Sequence, residues 1–252
     1  MLLFNNMKRL LIPFFTAGHP NINSISQIIQ AFDKIGVDYI EVGLAHSDAL
    51  ADGSTIQNSS FKALKNGMNL DILFENLKIY KPQKSKLILF SYYNPLMCYG
   101  LEKVAKCWKE SGGQFILIPD LPFEEAQEFK QICEENDLNL IFLIAPTSTP
   151  DRIKQITEIS SEFLYLVSTT GITGTQKDLS ANLSEIIREI KLIKPNLPVV
   201  IGFGINNPET AKEALEKGAD GVVVGSALVK LLDDNNFAKA FELLKNIKTV
   251  LN

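Results

Sequence analysis

The 252-residue sequence has little cysteine or histidine, and neither is arranged to bind a metal. Its three cysteines, Cys98, Cys107 and Cys133, are odd in number and lack the spacing of zinc motifs. They are typical of reduced thiols, so we expect a cytoplasmic protein. Two isolated histidines, His19 and His46, do not make a metal site, and we expect both to lie in solvent-facing loops.

Long apolar runs and clusters of positive charge are also missing. No apolar stretch approaches the roughly 20 residues that span a bilayer, so no membrane association is expected. Residues 7–18 have the basic start and apolar run of a signal peptide, but Pro13 and Thr16 interrupt that run, which favours a first strand. The net charge is −4 without any basic run, so nucleic acid is not an expected partner. An anionic ligand would need local hydrogen-bond donors rather than a positive field.

Eight apolar or β-branched runs alternate with helical patterns, and no linker or low-complexity segment divides the chain. Runs that are apolar at every position are typical of parallel strands covered on both faces. The predicted strands are residues 10–18, 39–44, 86–93, 114–120, 138–146, 163–171, 198–204 and 221–226. Eight such units in one chain of this length predict an α/β protein with a single TIM-barrel domain, a (β/α)8 barrel over residues 1–252. The alternative is an open doubly wound sheet, but its GxGxxG fingerprint is absent.

Active sites of TIM barrels lie at the C-terminal ends of the strands, and candidate residues occur there. Glu41 lies within the second predicted strand, where a buried acid is costly unless it has a function. Asp52 lies in the long loop at 45–57 and is either functional or a turn former in an Asp-Gly pair. Aromatic residues at strand ends could together line a pocket. They are Phe15, Phe90, Tyr92, Tyr165 and Phe203.

Glycines end the last three predicted strands, in "TTGITG" (169–174), "GFG" (202–204) and "GVVVGSALVK" (221–230). Free backbone amides at a helix N-terminus bind phosphate, and the loops after strands 7 and 8 are the usual phosphate site of this fold. The alternative is that these glycines only serve tight turns. Three clusters on consecutive strand ends favour a phosphate site.

The stretch "IEVGLAHSDALADGSTIQ" (40–57) resembles the acid loop of the tryptophan synthase α subunit family, usually E-x-G-x-P-x-S-D-P-x-A-D-G-P-x-I-Q. "IPFFTAGHP", "YYNPLMCYG", "PDLPFEE", "VSTTGITG" and "GADGVVVGSALVK" match the same family in the same order, so the resemblance covers nearly the whole chain. It implies retro-aldol cleavage of indole-3-glycerol phosphate to indole and glyceraldehyde 3-phosphate, without metal or organic cofactor. It also implies a β-subunit partner in an α2β2 assembly of tryptophan biosynthesis.

The resemblance assigns roles residue by residue. Glu41 matches the catalytic glutamate, Asp52 the aspartate at the indole nitrogen, and Asp48 an aspartate at the β-subunit interface. The implied substrate-binding positions are Phe15, Ile56, Tyr92, Tyr165, Thr173 and Phe203. Asp120, at the end of the fourth predicted strand, is a further substrate-binding candidate from its position alone. The implied phosphate-binding positions are Gly174, Gly204, Gly225 and Ser226.

The acid loop departs from the family pattern at several positions. Ala45, Ala49 and Ser54 stand where the family usually has proline, and His46 where it usually has an aromatic residue. Each lost proline frees a backbone φ angle, so we expect a looser loop whose closure costs more. Three alternatives stay open: another phosphate-binding barrel, a weakly active or inactive α-like subunit that activates a β subunit, and a stand-alone indole-releasing lyase.

Overall fold

The computed structural model describes residues 8–167, 176–202, 204–234 and 236–252, with the backbone alone for residues 176–182. Eight parallel strands form a closed barrel in chain order, and the last strand pairs with the first. The strands are β1 (Leu10–Thr16), β2 (Tyr39–Gly43), β3 (Lys86–Phe90), β4 (Phe115–Leu117), β5 (Asn139–Ile144), β6 (Leu164–Val167), β7 (Val199–Gly202) and β8 (Gly221–Val224). The predicted TIM barrel is confirmed.

Helices follow the strands and pack around the barrel. Those in the described part of the chain are α1 (Ser24–Ile35), α2 (Ser54–Lys65), α3 (Leu70–Leu77), α4 (Tyr93–Tyr99), α5 (Leu101–Glu110), α6 (Ala126–Glu135), α7 (Pro150–Ile159), α8 (Gln176–Ile193), α9 (Pro208–Glu216), α10 (Ser226–Asp233) and α11 (Phe237–Leu251). Of these helices, none is both long and apolar enough to cross a membrane.

Side chains of each strand alternate between the barrel interior and the layer that faces the helices, since successive residues of a strand point to opposite faces. The interior is filled by a separate apolar cluster. Its members are Ile12, Tyr39, Ile88, Phe115, Leu117, Ile141, Phe163, Tyr165, Val200 and Val223. The neighbouring strand residues, such as Leu11, Ile40 and Val222, pack against the helices in the larger cluster. Burial on both faces explains why the strands have uninterrupted apolar sequences.

Local sequence signals set where several elements begin and end. Gly36 ends α1 with a positive φ of 79°, a conformation that glycine adopts at no steric cost. Asn207 caps α9 in a reciprocal capping box, and Pro208 occupies the first helical position, where its missing N–H costs nothing. Where their ends are described, several predicted strands run past the observed ones into the C-terminal face of the barrel. The run 86–93, for example, ends as a strand at Phe90, and α4 begins at Tyr93.

Candidate active site

A cavity of about 740 Å³ opens at the C-terminal ends of the strands. It contains the two acids singled out in the sequence, Glu41 and Asp52, together with the start of α10. The other lining residues used below are Phe14, Ile56, Phe90, Tyr165, Val223, Gly204, Gly225 and Ser226. The volume lies in the range of pockets that bind small molecules.

A second cavity of about 690 Å³ lies beside the first, and both are lined by Asp52, Phe90 and Tyr165. Its walls come from the acid loop (residues 44–53) and from the strand ends of β4 and β5. Leu50, Ile118, Leu121, Phe123 and Phe142 give it an apolar character. The three shared residues therefore stand between a cavity that reaches α10 and an apolar cavity at the acid loop.

Glu41 is the central residue of β2 and points into the barrel, with only 1% of its surface exposed. Its Oε1 atom has no hydrogen-bond partner among the described residues. Burial, and then the charge of Asp52, raises the pKa of Glu41 from 4.5 to about 8, because both disfavour a carboxylate. At neutral pH Glu41 is therefore mostly a protonated acid, poised on a rigid strand.

Asp52 reaches the same cavity from the acid loop. Its Oδ2 atom accepts a hydrogen bond of 2.9 Å from the hydroxyl of Tyr92. Burial raises the pKa of Asp52 to about 6, although the bond from Tyr92 opposes this by favouring the charged form. The two acids thus differ at pH 7: Asp52 is mostly ionised and Glu41 mostly neutral. Such separated pKa values are typical of paired catalytic carboxyl groups.

Tyr165 of β6 completes the acidic end of the cavity. Its side chain is buried, and burial together with the charges of Glu41 and Asp52 raises its pKa well above 10. Gly202 on β7 makes room for this ring, because a Cβ at that position would lie 1.9 Å from the tyrosine hydroxyl. Gly43 does the same for Phe14, whose ring would lie 2.5 Å from an added Cβ. The two glycines allow these aromatic side chains to occupy the mouth of the barrel.

The opposite side of the cavity carries the predicted phosphate-binding residues. Gly225 immediately precedes α10, Ser226 is its first residue, and Gly204 lies after β7 with a φ of 82°. All three line the cavity. The first backbone N–H groups of a helix have no acceptor within the helix, so they can bind an anion. Gly174, the fourth predicted residue, lies outside the described residues, as do Thr173 and Phe203.

The prediction for Phe15 is wrong. Its side chain is fully buried on the helix side of β1, where its ring centroid lies 6.2 Å from that of Phe32. Phe14 lines the cavity instead, packed against Ile56 and Phe90. The register signal was available, because alternation along "IPFFT" places only one of the two phenylalanines in the barrel. The resemblance did not resolve which of the two it was.

Other predicted residues lie near the site with different contacts. Ile56 lines the first cavity, whereas Asp120 lines the second and accepts a hydrogen bond from the Tyr93 N–H. Tyr92 lines neither cavity; its hydroxyl is bonded to Asp52 and to the Ala51 N–H. Asp48 is exposed on the acid loop.

The solvent-facing prediction for His19 is also wrong. Its side chain is only 1% exposed, and its Nε2 atom lies 3.0 Å from Asp233 Oδ1 at the end of α10. Loop residues that pack under a helix end are not distinguishable from exposed ones by sequence spacing. His46 is half-buried, with its ring 5.2 Å from that of Tyr92. In the described part of the chain no three His, Cys, Asp or Glu side chains are grouped to hold a metal ion.

Comparison with known proteins gives one consistent result. The family model described as tryptophan synthase alpha chain matches residues 3–251. The tryptophan synthase alpha chain of Petrotoga mobilis is 42% identical over 247 residues, which cover 98% of this chain and 94% of that protein. Tryptophan synthase subunit alpha from Campylobacter jejuni has a TM-score of 0.86 at 33% identity, with 97% of each chain covered.

A chain of the tryptophan synthase complex from Pyrococcus furiosus is similar as well. It has a TM-score of 0.84 at 33% identity, with 96% of this chain and 99% of that chain covered. Sequence and structure therefore agree over nearly the whole length, and the protein belongs to the tryptophan synthase alpha chain family.

Proposed function

We propose that the first cavity carries out the α reaction of tryptophan synthase, in which Glu41 and Asp52 cleave indole-3-glycerol phosphate to indole and D-glyceraldehyde 3-phosphate. The chain is then a carbon–carbon lyase of L-tryptophan biosynthesis, as its family membership indicates. The observation that carries this proposal is the joint presence of a neutral acid, an ionised acid and a helix N-terminus in one cavity.

The substrate's phosphate is placed at the start of α10. The amides after Gly204 and Gly225 and the Ser226 hydroxyl supply donors there, and Gly174 is a fourth position by resemblance. The helix N-terminus favours negative charge locally, so it can bind an anion although the net charge of the protein is −4.

The indole ring is placed between Phe14, Ile56, Phe90 and Tyr165, at the acidic end of the cavity. Thr173 and Phe203 are further ring-binding positions by resemblance. In this orientation the ring N–H faces Asp52. An ionised carboxylate there stabilises the positive charge that the ring acquires when its C3 atom is protonated, and such stabilisation in a water-poor site is a large catalytic contribution.

The protonation state of Glu41 determines which of the two proton transfers comes first. Glu41 starts as the neutral acid and gives its proton to indole C3, which turns the ring into an electron sink. The resulting Glu41 carboxylate then removes the proton of the glycerol hydroxyl next to the C3–carbon bond. That bond breaks, its electron pair returns to the ring, and the hydroxyl carbon becomes the aldehyde. Glu41 is protonated again at the end, so the step needs no metal or organic cofactor.

The partner of this chain is a tryptophan synthase β subunit, in an α2β2 assembly. The Pyrococcus furiosus relative is part of a tryptophan synthase complex, which supports a partner for this chain too. Asp48 and Leu50 project from the acid loop, and Leu50 is 87% exposed, so this loop is accessible to a partner surface. The second, apolar cavity lies behind this loop and is a suitable route for indole to leave. The three free cysteines support a cytoplasmic location.

One experiment separates this proposal from the alternatives. Purified chain is incubated with indole-3-glycerol phosphate, alone and with a β subunit, and the release of indole and glyceraldehyde 3-phosphate is measured. We expect slow release alone and faster release with the partner. Equal rates in both arms would indicate a stand-alone lyase. No release in either arm would overturn the proposal, and activation of the β subunit without cleavage would indicate an activator.

A further inference from the structure

Tyr92 lies outside both cavities yet contacts the acid loop at two points. It directly precedes α4, two residues beyond the end of β3, and 4% of its surface is exposed. Its hydroxyl donates to Asp52 Oδ2 at 2.9 Å and accepts a hydrogen bond from the Ala51 N–H, also at 2.9 Å. A phenol has a single O–H donor, so this donor is committed to Asp52 and is not available to a substrate.

The bond selects one oxygen of the Asp52 carboxylate. Oδ2 already accepts the Tyr92 hydroxyl, whereas Oδ1 accepts no hydrogen bond within the described residues and is the freer oxygen for a ring N–H. The donor also favours the ionised carboxylate, in opposition to burial. The other titratable groups that face Asp52 are Glu41 from β2 and Tyr165 from β6, and the charge of Asp52 raises the pKa of both. Removal of the Tyr92 hydroxyl should therefore both free the carboxylate to rotate and raise its pKa.

The same hydroxyl fixes the loop that carries Asp52. Tyr92 holds the Ala51 N–H from one side, and Gln57 holds the other side by donating to the carbonyls of Ala49 at 3.1 Å and Asp52 at 3.0 Å. The ring of His46 lies against Tyr92 at 5.2 Å. The N-terminal end of the acid loop is bonded to β3 through the backbone, from the Leu44 N–H to the Phe90 carbonyl at 2.8 Å. Residues 51 and 52, at its other end, are bonded to the chain just beyond β3 through the Tyr92 hydroxyl.

We infer that Tyr92 is a positioning residue that sets which oxygen of Asp52 faces the substrate and holds the acid loop at the cavity. It acts through Asp52 and does not bind the substrate itself. The inference rests on the proposed lyase function for its kinetic consequence, but its structural consequence, the state of the Asp52 carboxyl group, does not depend on activity.

Tyr92→Phe tests this inference because it removes one oxygen and keeps the ring. Cleavage should fall about 10- to 100-fold, mainly in kcat, as expected when a catalytic group is displaced by a fraction of an ångström. The acidic limb of the kcat/KM profile should move to higher pH. Tyr93→Phe is the matched control, since the Tyr93 hydroxyl makes no hydrogen bond in the described part of the chain. It should leave both the rate and the profile unchanged.

A double-mutant cycle distinguishes positioning from substrate contact. In an Asp52→Asn background, Tyr92→Phe should cost little further activity if Tyr92 acts through Asp52. The same loss of rate in both backgrounds would show a direct substrate contact and overturn the inference.

A carboxyl-carbon NMR titration of the free chain supplies the readout that needs no activity. The Asp52 signal, assigned by its loss in Asp52→Asn, should titrate at higher pH in Tyr92→Phe. An unchanged Asp52 titration would overturn the inference. If the wild type does not cleave the substrate but the Asp52 titration moves to higher pH in Tyr92→Phe, the proposed function is overturned and the inference about Tyr92 is supported.

Discussion

Phe14 and Glu41 are register partners on β1 and β2, and both side chains line the first cavity. The ring of Phe14 packs edge-on against Phe90 of β3, with centroids 5.4 Å apart. Three adjacent strands therefore form one wall of the site, with an aromatic side chain on each side of the buried acid. The wall is apolar apart from Glu41, which explains why the neutral form of this acid is favoured.

The neighbouring phenylalanines give a direct test of this wall. Phe14→Leu should weaken catalysis, with a several-fold rise in KM and little loss of stability, because the leucine still fills the barrel mouth. Phe15→Leu should leave KM unchanged and lower the free energy of unfolding by roughly 1–3 kcal/mol, because it opens a gap against Phe32. Steady-state kinetics and denaturant unfolding of both variants check this. A rise in KM in Phe15→Leu, together with a loss of stability and an unchanged KM in Phe14→Leu, would contradict the observed orientation of β1.

Phe14 and Phe15 also show how much of the fold and of the site could be predicted from the sequence. Uninterrupted apolar runs predicted all eight strands and the barrel, because burial on both faces leaves a strong signal at every position. Alternation shows that only one of Phe14 and Phe15 faces inward, but a run without polar residues does not show which one, and the resemblance was assigned to Phe15. Glu41 was identifiable because a charge within such a run has few structural explanations. The contacts of His19 with Asp233 and of Tyr92 with Asp52 could not be predicted from the sequence, because they join residues 214 and 40 positions apart.

The pKa values of the two acids predict a bell-shaped pH dependence. Cleavage requires ionised Asp52 and neutral Glu41, so kcat/KM should rise through about pH 6 and fall above about pH 8. The phosphate of the substrate also titrates near pH 6, so the acidic limb is assigned to Asp52 by its shift in Tyr92→Phe. A rate that continues to rise beyond pH 8 would mean that ionised Glu41 is the active form, contrary to the proposed order of proton transfers.

Glu41→Gln should lower turnover and, above about pH 4, raise the free energy of unfolding relative to the wild type. Turnover should fall by about 10²–10⁴-fold, the usual contribution of a general acid or base. Because the folded-state pKa is raised, the native chain binds more protons than the unfolded chain between about pH 4 and 8, and the free energy of unfolding of the wild type falls as pH rises. Glutamine does not titrate, so the free energy of unfolding of Glu41→Gln does not fall with pH in this way. It should match the wild type near pH 4 and exceed it by up to about 5 kcal/mol at pH 8.

Denaturant unfolding at several pH values measures this difference. Glu213→Gln, at an exposed position of α9, is the control and should show no pH-dependent gain. A constant difference between Glu41→Gln and the wild type from pH 4 to pH 8 would show that Glu41 titrates normally.

Ala45 and Ala49 lie in the acid loop, and Ser54 lies directly beside it. Within the described residues none of their backbone N–H groups donates a hydrogen bond, so proline would remove no bond at these positions. Ser54 is the first residue of α2, where proline is favoured. Each compatible substitution is worth roughly 0.4–1 kcal/mol of unfolded-state entropy. If loop entropy limits the unaided reaction, the triple proline variant should cleave faster without a β subunit, because more molecules hold Asp52 at the cavity.

The test is turnover of the wild type and the triple proline variant, each with and without a β subunit. We expect the prolines to raise the unaided rate several-fold and to reduce the acceleration given by the partner, since the loop would already be held in place. Ala45 and Ala49 are buried, so Ser54→Pro alone, with Ser54→Ala as its control, separates loop rigidity from crowding. An unaided rate that stays the same or falls in Ser54→Pro would show that loop entropy does not limit the reaction. The three residues would then matter for the surface around Asp48 and His46 that meets the β subunit.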